Sequence, residues 1–464
     1  MAVSAAGAGA RDRTLDALVL LSVLATAFND LRPLLPAGEL ASDAFIYVFP
    51  LLVLQLLRRP AEIAAPISLM LLALALAVAL ATGVSLNHGE IAVAWFKGRS
   101  GFSRVVTQGM AVSFGIVVAL AFYNVTIRGG LRATARGARL AVLVMGAVGA
   151  LEVASWASLP LLTQAHEALA LVIHASSGAD YPERLRATAF EVSWAAVMLT
   201  FLFPFALADL PPRDWRFGAV VVTVLALVLL AQSRTALLVL GAQGLFLAAL
   251  FLRRRFDLAV HGVALGCLLA VALLLSPAVG SRLGDAITNV VQHGSLGGPQ
   301  QIWADENVSN VTRLAAIRSG LSMFRDQPLF GVGLGQYGFN YPAHLAAEDF
   351  RSYEVRQYVA DAEPLWPPAY SIHVRLLAET GLVGYAVWLA LVLPLLLRSL
   401  ARADVADPLA RVHAAVAMTL SGWLLLGASI DSVRFFGGWI ALGVALGLGG
   451  SESPTRAPRH RAGA

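Results

Sequence analysis

The sequence predicts an all-α polytopic membrane protein with about 12 transmembrane helices and one large extracytoplasmic loop that contains short helices. Three observations carry this. Hydrophobic residues make up 58% of the 464 and charged residues 14%, against about 25% charge in an ordinary soluble domain; mean hydropathy is +0.71. Apolar runs of about 20 residues recur along the chain, each long enough to cross roughly 30 Å of hydrocarbon. Arginines then gather in every second gap between those runs.

Hydrophobic patterning places helices near 15–29, 43–57, 64–84, 108–127, 138–160, 187–208, 216–232, 235–252, 257–278, 376–397, 411–429 and 435–449. The segment 86–107 reads equally as a loop or as a helix lying in the interface. The basic pair Arg11 and Arg13 precedes the first apolar run as in a signal peptide, but no small-residue cleavage site follows, so the run reads as a retained membrane helix. Four units result: 1–278 with nine helices, the loop 279–370, 371–450 with three helices, and a polar, basic tail 451–464 that reads as disordered.

Orientation follows from arginine placement. With both termini cytoplasmic, the inside segments hold Arg11 and Arg13; Arg58 and Arg59; Arg128, Arg132, Arg136 and Arg139; Arg213 and Arg216; Arg253, Arg254 and Arg255; Arg398, Arg402 and Arg411; and the tail arginines. The long segment 279–370 then lies outside, and a connection of that length in a compact membrane protein is usually functional. Within it, TRLAAIRSGLSMFRD is amphipathic, with Leu314, Ile317, Leu321 and Phe324 on one face and Arg318 and Arg325 on another. A glycine-rich, turn-laden PLFGVGLGQYGFNY follows.

Composition also excludes classes. Lys97 is the only lysine and no basic stripe runs along the chain, so a nucleic-acid partner is not expected. A single cysteine, Cys267, forbids an intrachain disulfide and argues against a cysteine metal site. No His, Asp or Glu spacing suits a metal, no Ser-His-Asp pattern is visible, and no cofactor is expected. GVGLGQYG lacks the preceding strand and βαβ unit that a dinucleotide fingerprint needs.

The candidate residues are polar groups at the outer face. Arg234 sits in a short outside turn, where it either snorkels from a helix end or binds an anion. His373 stands just before a membrane helix, where a structural role competes with a catalytic one; Glu379, six residues on, is an ionisable group inside that helix and calls for a partner or a role. Arg313 and Arg318 lie on the loop helix, on a face that solvent alone could explain. Glu191 either pairs with Arg186 or meets substrate.

Three stretches together resemble one family. SRTALL at 233–238, TRLAAIRSGLSMFRDQPLFGVGLGQYGFNY at 312–341 and SIHVRLLAETGLVG at 371–384 are similar, in order and spacing, to the serine-arginine turn, the arginine-led loop helix with Pro-Leu-x-Gly-x-Gly-x-Gly, and the histidine motif of the O-antigen ligase and polymerase superfamily. Val374 stands where that family commonly has asparagine. ERLRATAFEVSWAA is similar to a pattern of exopolysaccharide polymerases, which tilts the resemblance towards polymerase. It implies a membrane glycosyltransferase with a GT-C-like fold in the bacterial inner membrane, with its active site periplasmic. The implied donor is an undecaprenyl-diphosphate-linked glycan, and the acceptor a glycan or lipid A-core. Arg234 and Arg313 would match the diphosphate-binding arginines, with Arg186 or Arg318 assisting and Glu191 and Glu379 in support. His373 would match the catalytic histidine, acting as general base in an inverting displacement. The chief rival class is a transporter or flippase of lipid-linked oligosaccharide, which should place its ionisable residues near the bilayer midplane; Glu152 and Glu191 are the candidates for that.

Overall fold

The computed structural model describes residues 12–35, 38–156, 159–175, 184–254 and 308–450. The helix expected at 257–278, the start of the loop, Cys267, Arg11 and the tail lie outside the described residues. Eleven of the twelve expected spans have a helix at their place: α1 Arg13–Ala25, α2 Ala44–Leu57, α3 Ile67–Leu86, α5 Gly101–Ile127, α6 Leu131–Trp156, α8 Val192–Leu207, α9 Trp215–Ala231, α10 Arg234–Arg254, α14 Ile372–Arg402, α15 Pro408–Leu426 and α16 Phe436–Gly450. Six of these are both long and apolar enough to cross a membrane, and others are shorter apolar helices, so the chain is a polytopic integral membrane protein.

The bundle is organised around α8. Nearly all of its residues are buried, and it packs against α6, α15, α10 and α9. A helix apolar on every side belongs at such a centre. The α3 helix lies at the rim: Ile67, Met70, Leu71, Leu74 and Val78 are all more than half exposed. An exposed apolar band of that kind suits hydrocarbon rather than water. The α5 and α16 helices touch backbone to backbone, since a Cβ on Gly443 would fall 2.2 Å from the Ala119 carbonyl oxygen. Small residues let membrane helices approach this closely.

Two segments resolve differently from their sequence expectation. The ambiguous stretch 86–107 is neither plain loop nor interfacial helix. It forms α4 (His88–Val93), then a tight antiparallel hairpin of β1 (Trp95–Phe96) and β2 (Arg99–Ser100), and then the first turns of α5. The span expected at 138–160 ends at Trp156, and a further helix, α7 (Pro160–Ile173), follows it. Pro160 explains the break: proline lacks an N–H and opens helices at their first position rather than continuing them.

The described part of the loop, 308–370, folds as a cap. It contains α11 (Val308–Asp326), α12 (Tyr337–Asn340) and α13 (Tyr353–Val359), with a small core of Ala316, Met323, Val332, Tyr337 and Tyr341. The expected apolar face of α11 is not the one it buries. Leu314 and Leu321 stay exposed, while Ala315, Ala316, Ser319 and Met323 are buried. The small residues win because α11 runs close to α14: a Cβ on Gly320 would lie 2.4 Å from the Val374 side chain. Val374, the departure from the motif, thus packs α14 against the loop helix.

The glycine-rich stretch has a structural assignment. Helix α14 breaks at Gly381, which adopts φ 62° and ψ −166°, a region open in practice only to glycine. Orphaned backbone groups at the break are satisfied by the loop: Leu382 N–H donates to Pro328 O (2.8 Å) and Val383 N–H to Leu329 O (3.1 Å), while Val332 and Gly333 N–H donate to Ala378 O (2.9 Å) and Glu379 O (3.1 Å). Buried backbone groups need such partners. The approach is so close that a Cβ on Gly331 would fall 2.4 Å from Ala378 O, and one on Gly381 2.3 Å from Leu329 O. The Gly-x-Gly-x-Gly run and the Glu-x-Gly motif are one unit.

Candidate functional site

A cavity of about 590 Å³ opens where the cap meets the bundle. Its walls come from segments far apart in sequence: Arg99, Arg104 and Gln108 at the start of α5, Glu191 and Trp194 at the start of α8, Thr235 at the start of α10, and Arg313 on α11. Trp366 to Pro368 and Tyr370, Arg375 and Glu379 on α14, and Asp431 and Arg434 between α15 and α16 complete them. Five arginines face three carboxylates, so the hollow is positive.

The arginines divide by partner. Arg375 is fully engaged: its Nε lies 3.3 Å from Glu379 Oε2, and its two Nη groups donate to Asp431 O (3.0 Å) and Gln108 Oε1 (2.8 Å). Arg434 lies 3.8 Å from Asp43 and over the Trp194 ring at 5.6 Å. Arg104 stacks on Trp366 at 4.5 Å. Arg99 and Arg313 differ. Each guanidinium stacks on an aromatic ring, Trp366 at 5.2 Å and Tyr370 at 5.1 Å, and makes no hydrogen bond or ion pair among the described residues. A guanidinium held over a ring by cation–π attraction keeps its N–H fork available for a phosphate or carboxylate.

The roof is held by matched polar contacts. Lys97 Nζ donates to the carbonyls of Gln357 (2.9 Å), Ala360 (2.7 Å) and Glu363 (2.7 Å), which tethers the hairpin to the segment leading into Trp366. Burial lowers its pKa, and Glu363 and Asp361 offset part of that. Tyr370 has φ 52°, and its hydroxyl bonds that of Tyr358 at 2.9 Å. Burial raises the pKa of both phenols, so both stay protonated.

The remaining sequence candidates fall as follows. Arg234 is the first residue of α10, beside Thr235 of the cavity wall. Glu191 and Glu379 both line the cavity. Glu379 also accepts the Tyr337 N–H at 3.3 Å. Arg318 is not among the lining residues; it pairs with Glu348 at 2.7 Å and with Asp349, pinning α11 to the following turn. Arg186 is buried away from the lining, and its N–H donates to Glu152 Oε1 at 3.1 Å. Glu152 also accepts the Ala187 N–H at 2.8 Å, so this carboxylate near the end of α6 holds a backbone turn.

His373 is not a lining residue either. Its Nε2 lies 2.8 Å from Leu424 O and its Nδ1 3.1 Å from Tyr385 Oη. A carbonyl only accepts, so the network assigns the proton to Nε2 and makes Nδ1 the acceptor from Tyr385. The ring also packs edge-on against Trp388 and ties α14 to α15.

Sequence reasoning missed Arg99, Arg104, Arg375, Arg434 and Asp431. Arg375 carried a faint signal, since it lies one helical turn before Glu379. Arg99 and Arg104 sat in the ambiguous segment, and nothing local marked them.

Fold and site together define a polytopic membrane protein with an arginine-lined hollow beneath a loop cap. Residues 219–389, from α9 into α14, match the family model described as O-antigen ligase. The matched segment contains the serine-arginine turn, the loop helix and the histidine motif, and so bears out the resemblance drawn from them. No curated protein matches the chain.

Proposed function

We propose that the protein is a membrane glycosyltransferase of the O-antigen ligase and polymerase type. It moves glycan from an undecaprenyl-diphosphate carrier to a hydroxyl acceptor at the periplasmic face of the inner membrane, by inverting displacement. About 12 spans in a GT-C-like arrangement fit this reading. The observation that carries it is the pair Arg99 and Arg313, two guanidinium groups that lie over rings in one cavity and have no carboxylate partner among the described residues. When a sugar–diphosphate bond breaks, negative charge grows on the leaving diphosphate. Preoriented guanidinium groups in a site shielded from water stabilise that charge best. Arginines rather than a metal ion then carry the leaving-group charge; Arg104 lines the same cavity, and Arg234 is a further candidate on its motif alone.

Orientation supports the periplasmic placement. The α5 helix begins at the cavity with Arg104 and ends at Arg128, which lies 3.8 Å from Glu62. The α14 helix begins at the cavity with Arg375 and ends at Arg398 and Arg402. The cavity thus lies opposite the arginine-rich ends that the positive-inside rule assigns to the cytoplasm. For His373 to act as base, its ring has to leave both partners; as placed, it fixes α14 and so sets Arg375 two residues on. Polymerase is preferred over ligase on the ERLRATAFEVSWAA likeness.

A transporter or flippase is the second reading. It loses support because Glu152, its first candidate for a mid-membrane ionisable residue, lies one turn from the end of α6 and holds the backbone of residues 186 and 187. The test is deletion followed by analysis of surface polysaccharide and of carrier-linked glycan. Single-repeat glycans indicate a lost polymerase; long polymer stranded on the carrier indicates a lost ligase. Glycan that remains on the cytoplasmic face indicates a lost flippase and overturns the reading. Chelator is expected to leave activity unchanged.

A further inference from the structure

The cavity holds three carboxylates, and their partners rank them. Glu379 is tied on both oxygens, to the Arg375 guanidinium and to the Tyr337 N–H. Asp431 accepts the Ala369 N–H at 2.7 Å through Oδ2, and its carbonyl takes a bond from Arg375. Glu191 is held differently. It stands at the N-cap of α8, yet its side chain makes no capping bond to that helix. The shorter side chains of Ser, Thr, Asp and Asn are the ones that normally accept from the next turn's amides at this position. Here its Oε1 accepts the hydroxyl of Ser193 instead, and its Oε2 makes no hydrogen bond among the described residues. The carboxylate therefore lines the cavity with one oxygen oriented and the other available.

Two features make this position chemically useful. A base must reach the proton it removes, so it has to line the space where the acceptor enters. Glu191 does, whereas both His373 nitrogens are bonded elsewhere. The base should also stand apart from the groups that hold the leaving group. Glu191 caps α8, while the two guanidinium groups that lie over rings are on the β2 strand and α11.

We propose that Glu191 is the general base that takes the acceptor hydroxyl's proton, with the Ser193 hydroxyl orienting it. This rests on the glycosyltransferase reading above. The acceptor oxygen forms the new bond to the anomeric carbon, and the bond from that carbon to the diphosphate oxygen breaks. Its electron pair leaves on the diphosphate, and the hydroxyl proton passes to Glu191, which becomes a carboxylic acid. A positioned base of this kind contributes about 100- to 10,000-fold.

The experiment uses proteoliposomes of the full chain supplied with lipid-linked glycan extracted from a deletion strain, and reads polymer formation. Binding of undecaprenyl diphosphate alone is measured in parallel. Glu191→Gln is expected to lower polymer formation by about 100-fold or more while leaving the binding affinity within about twofold. Glu191→Asp is expected to retain part of the activity, and added formate to restore part of it to Glu191→Ala. Wild-type polymer formation by Glu191→Gln overturns the proposal. Loss of undecaprenyl diphosphate binding by Glu191→Gln, or no rescue by aspartate or formate, makes the residue structural and also overturns it. Activity kept by Glu191→Gln but lost by His373→Asn gives the proton to the histidine. If wild-type protein neither binds the diphosphate nor forms polymer, the glycosyltransferase reading itself falls, and this assignment with it.

Discussion

The two ends of the helical bundle use arginine differently, because only the cavity end adds guanidinium groups held by rings. At the end assigned to the cytoplasm, arginines meet carboxylates: Arg139 lies 2.7 Å from Asp209, Arg216 2.6 Å from Asp214, and Arg128 and Arg59 both approach Glu62. At the cavity end Arg375 and Arg434 also meet carboxylates, but Arg99 and Arg313 lie over rings. A carboxylate partner neutralises a guanidinium and occupies its N–H fork. An aromatic partner leaves both charge and fork for a ligand. Arginine count alone therefore says little about function; what the guanidinium touches decides.

The sharpest way to break this comparison is one substitution at each end. Arg313→Lys keeps the charge but loses the fork and the stack, so glycan transfer is expected to fall about 10- to 100-fold, the loss of one to two charged hydrogen bonds. Arg139→Lys keeps a charge next to Asp209 at a partly exposed boundary and is expected to change transfer less than about twofold. Equal effects would remove the distinction.

A second test concerns what holds the cavity wall in place. Gly381→Val forces a β-branched residue into a glycine-only conformation and towards the Leu329 carbonyl. The conformational part alone costs about 1–3 kcal/mol, and the clash adds to it. A lowered Tm of the purified protein in detergent is expected, with a weaker drop for Gly384→Ala, whose Cβ would press only on the Thr380 side chain.

Smaller effects should follow at the roof. Lys97→Met removes three hydrogen bonds to carbonyls and is expected to raise hydrogen exchange over 357–368 while lowering transfer severalfold. The tyrosine pair gives the roof a pH dependence. Burial raises both phenol pKa values above the ordinary 10.0. Below pH 10 the folded and unfolded segments are both protonated, and the clasp is at full strength. Above it, the unfolded segment loses its protons first, so the clasp weakens as pH rises. Hydrogen exchange over 353–371 should accelerate above pH 10, and Tyr358→Phe should blunt that rise. The Lys97 contribution runs the other way and ends by its ordinary 10.5.

Much of the fold was legible. The positions of α2, α9, α15 and α16 were read to within a few residues, because membrane helices announce themselves by length and polarity. The break before α7 was missed, although Pro160 marked it, because the apolar run continued across it. The buried face of α11 was misread for a related reason: periodicity ranks faces by hydrophobicity, but close packing against α14 selected the small residues. Of the candidate site, Arg313, Glu191 and Glu379 were found, since each is a charged residue in a place that is costly without a partner or purpose. Arg99 and Arg104 were not, because their significance lies in Trp366, more than 250 positions away.

The sequence by itself determined that the chain crosses a membrane many times, that its arginines are unevenly placed between the spans, and that three ordered motifs point to one family. These follow from composition, run length and charge placement, all local properties. Only the tertiary structure decided which arginines are spent on carboxylates and which rest on rings, and that the glycine run repairs the break in α14. It also decided that His373 ties two helices while Glu191 lines the cavity. Those are contacts between distant segments, and hydrogen-bond capacity is allotted only when the chain has closed around them.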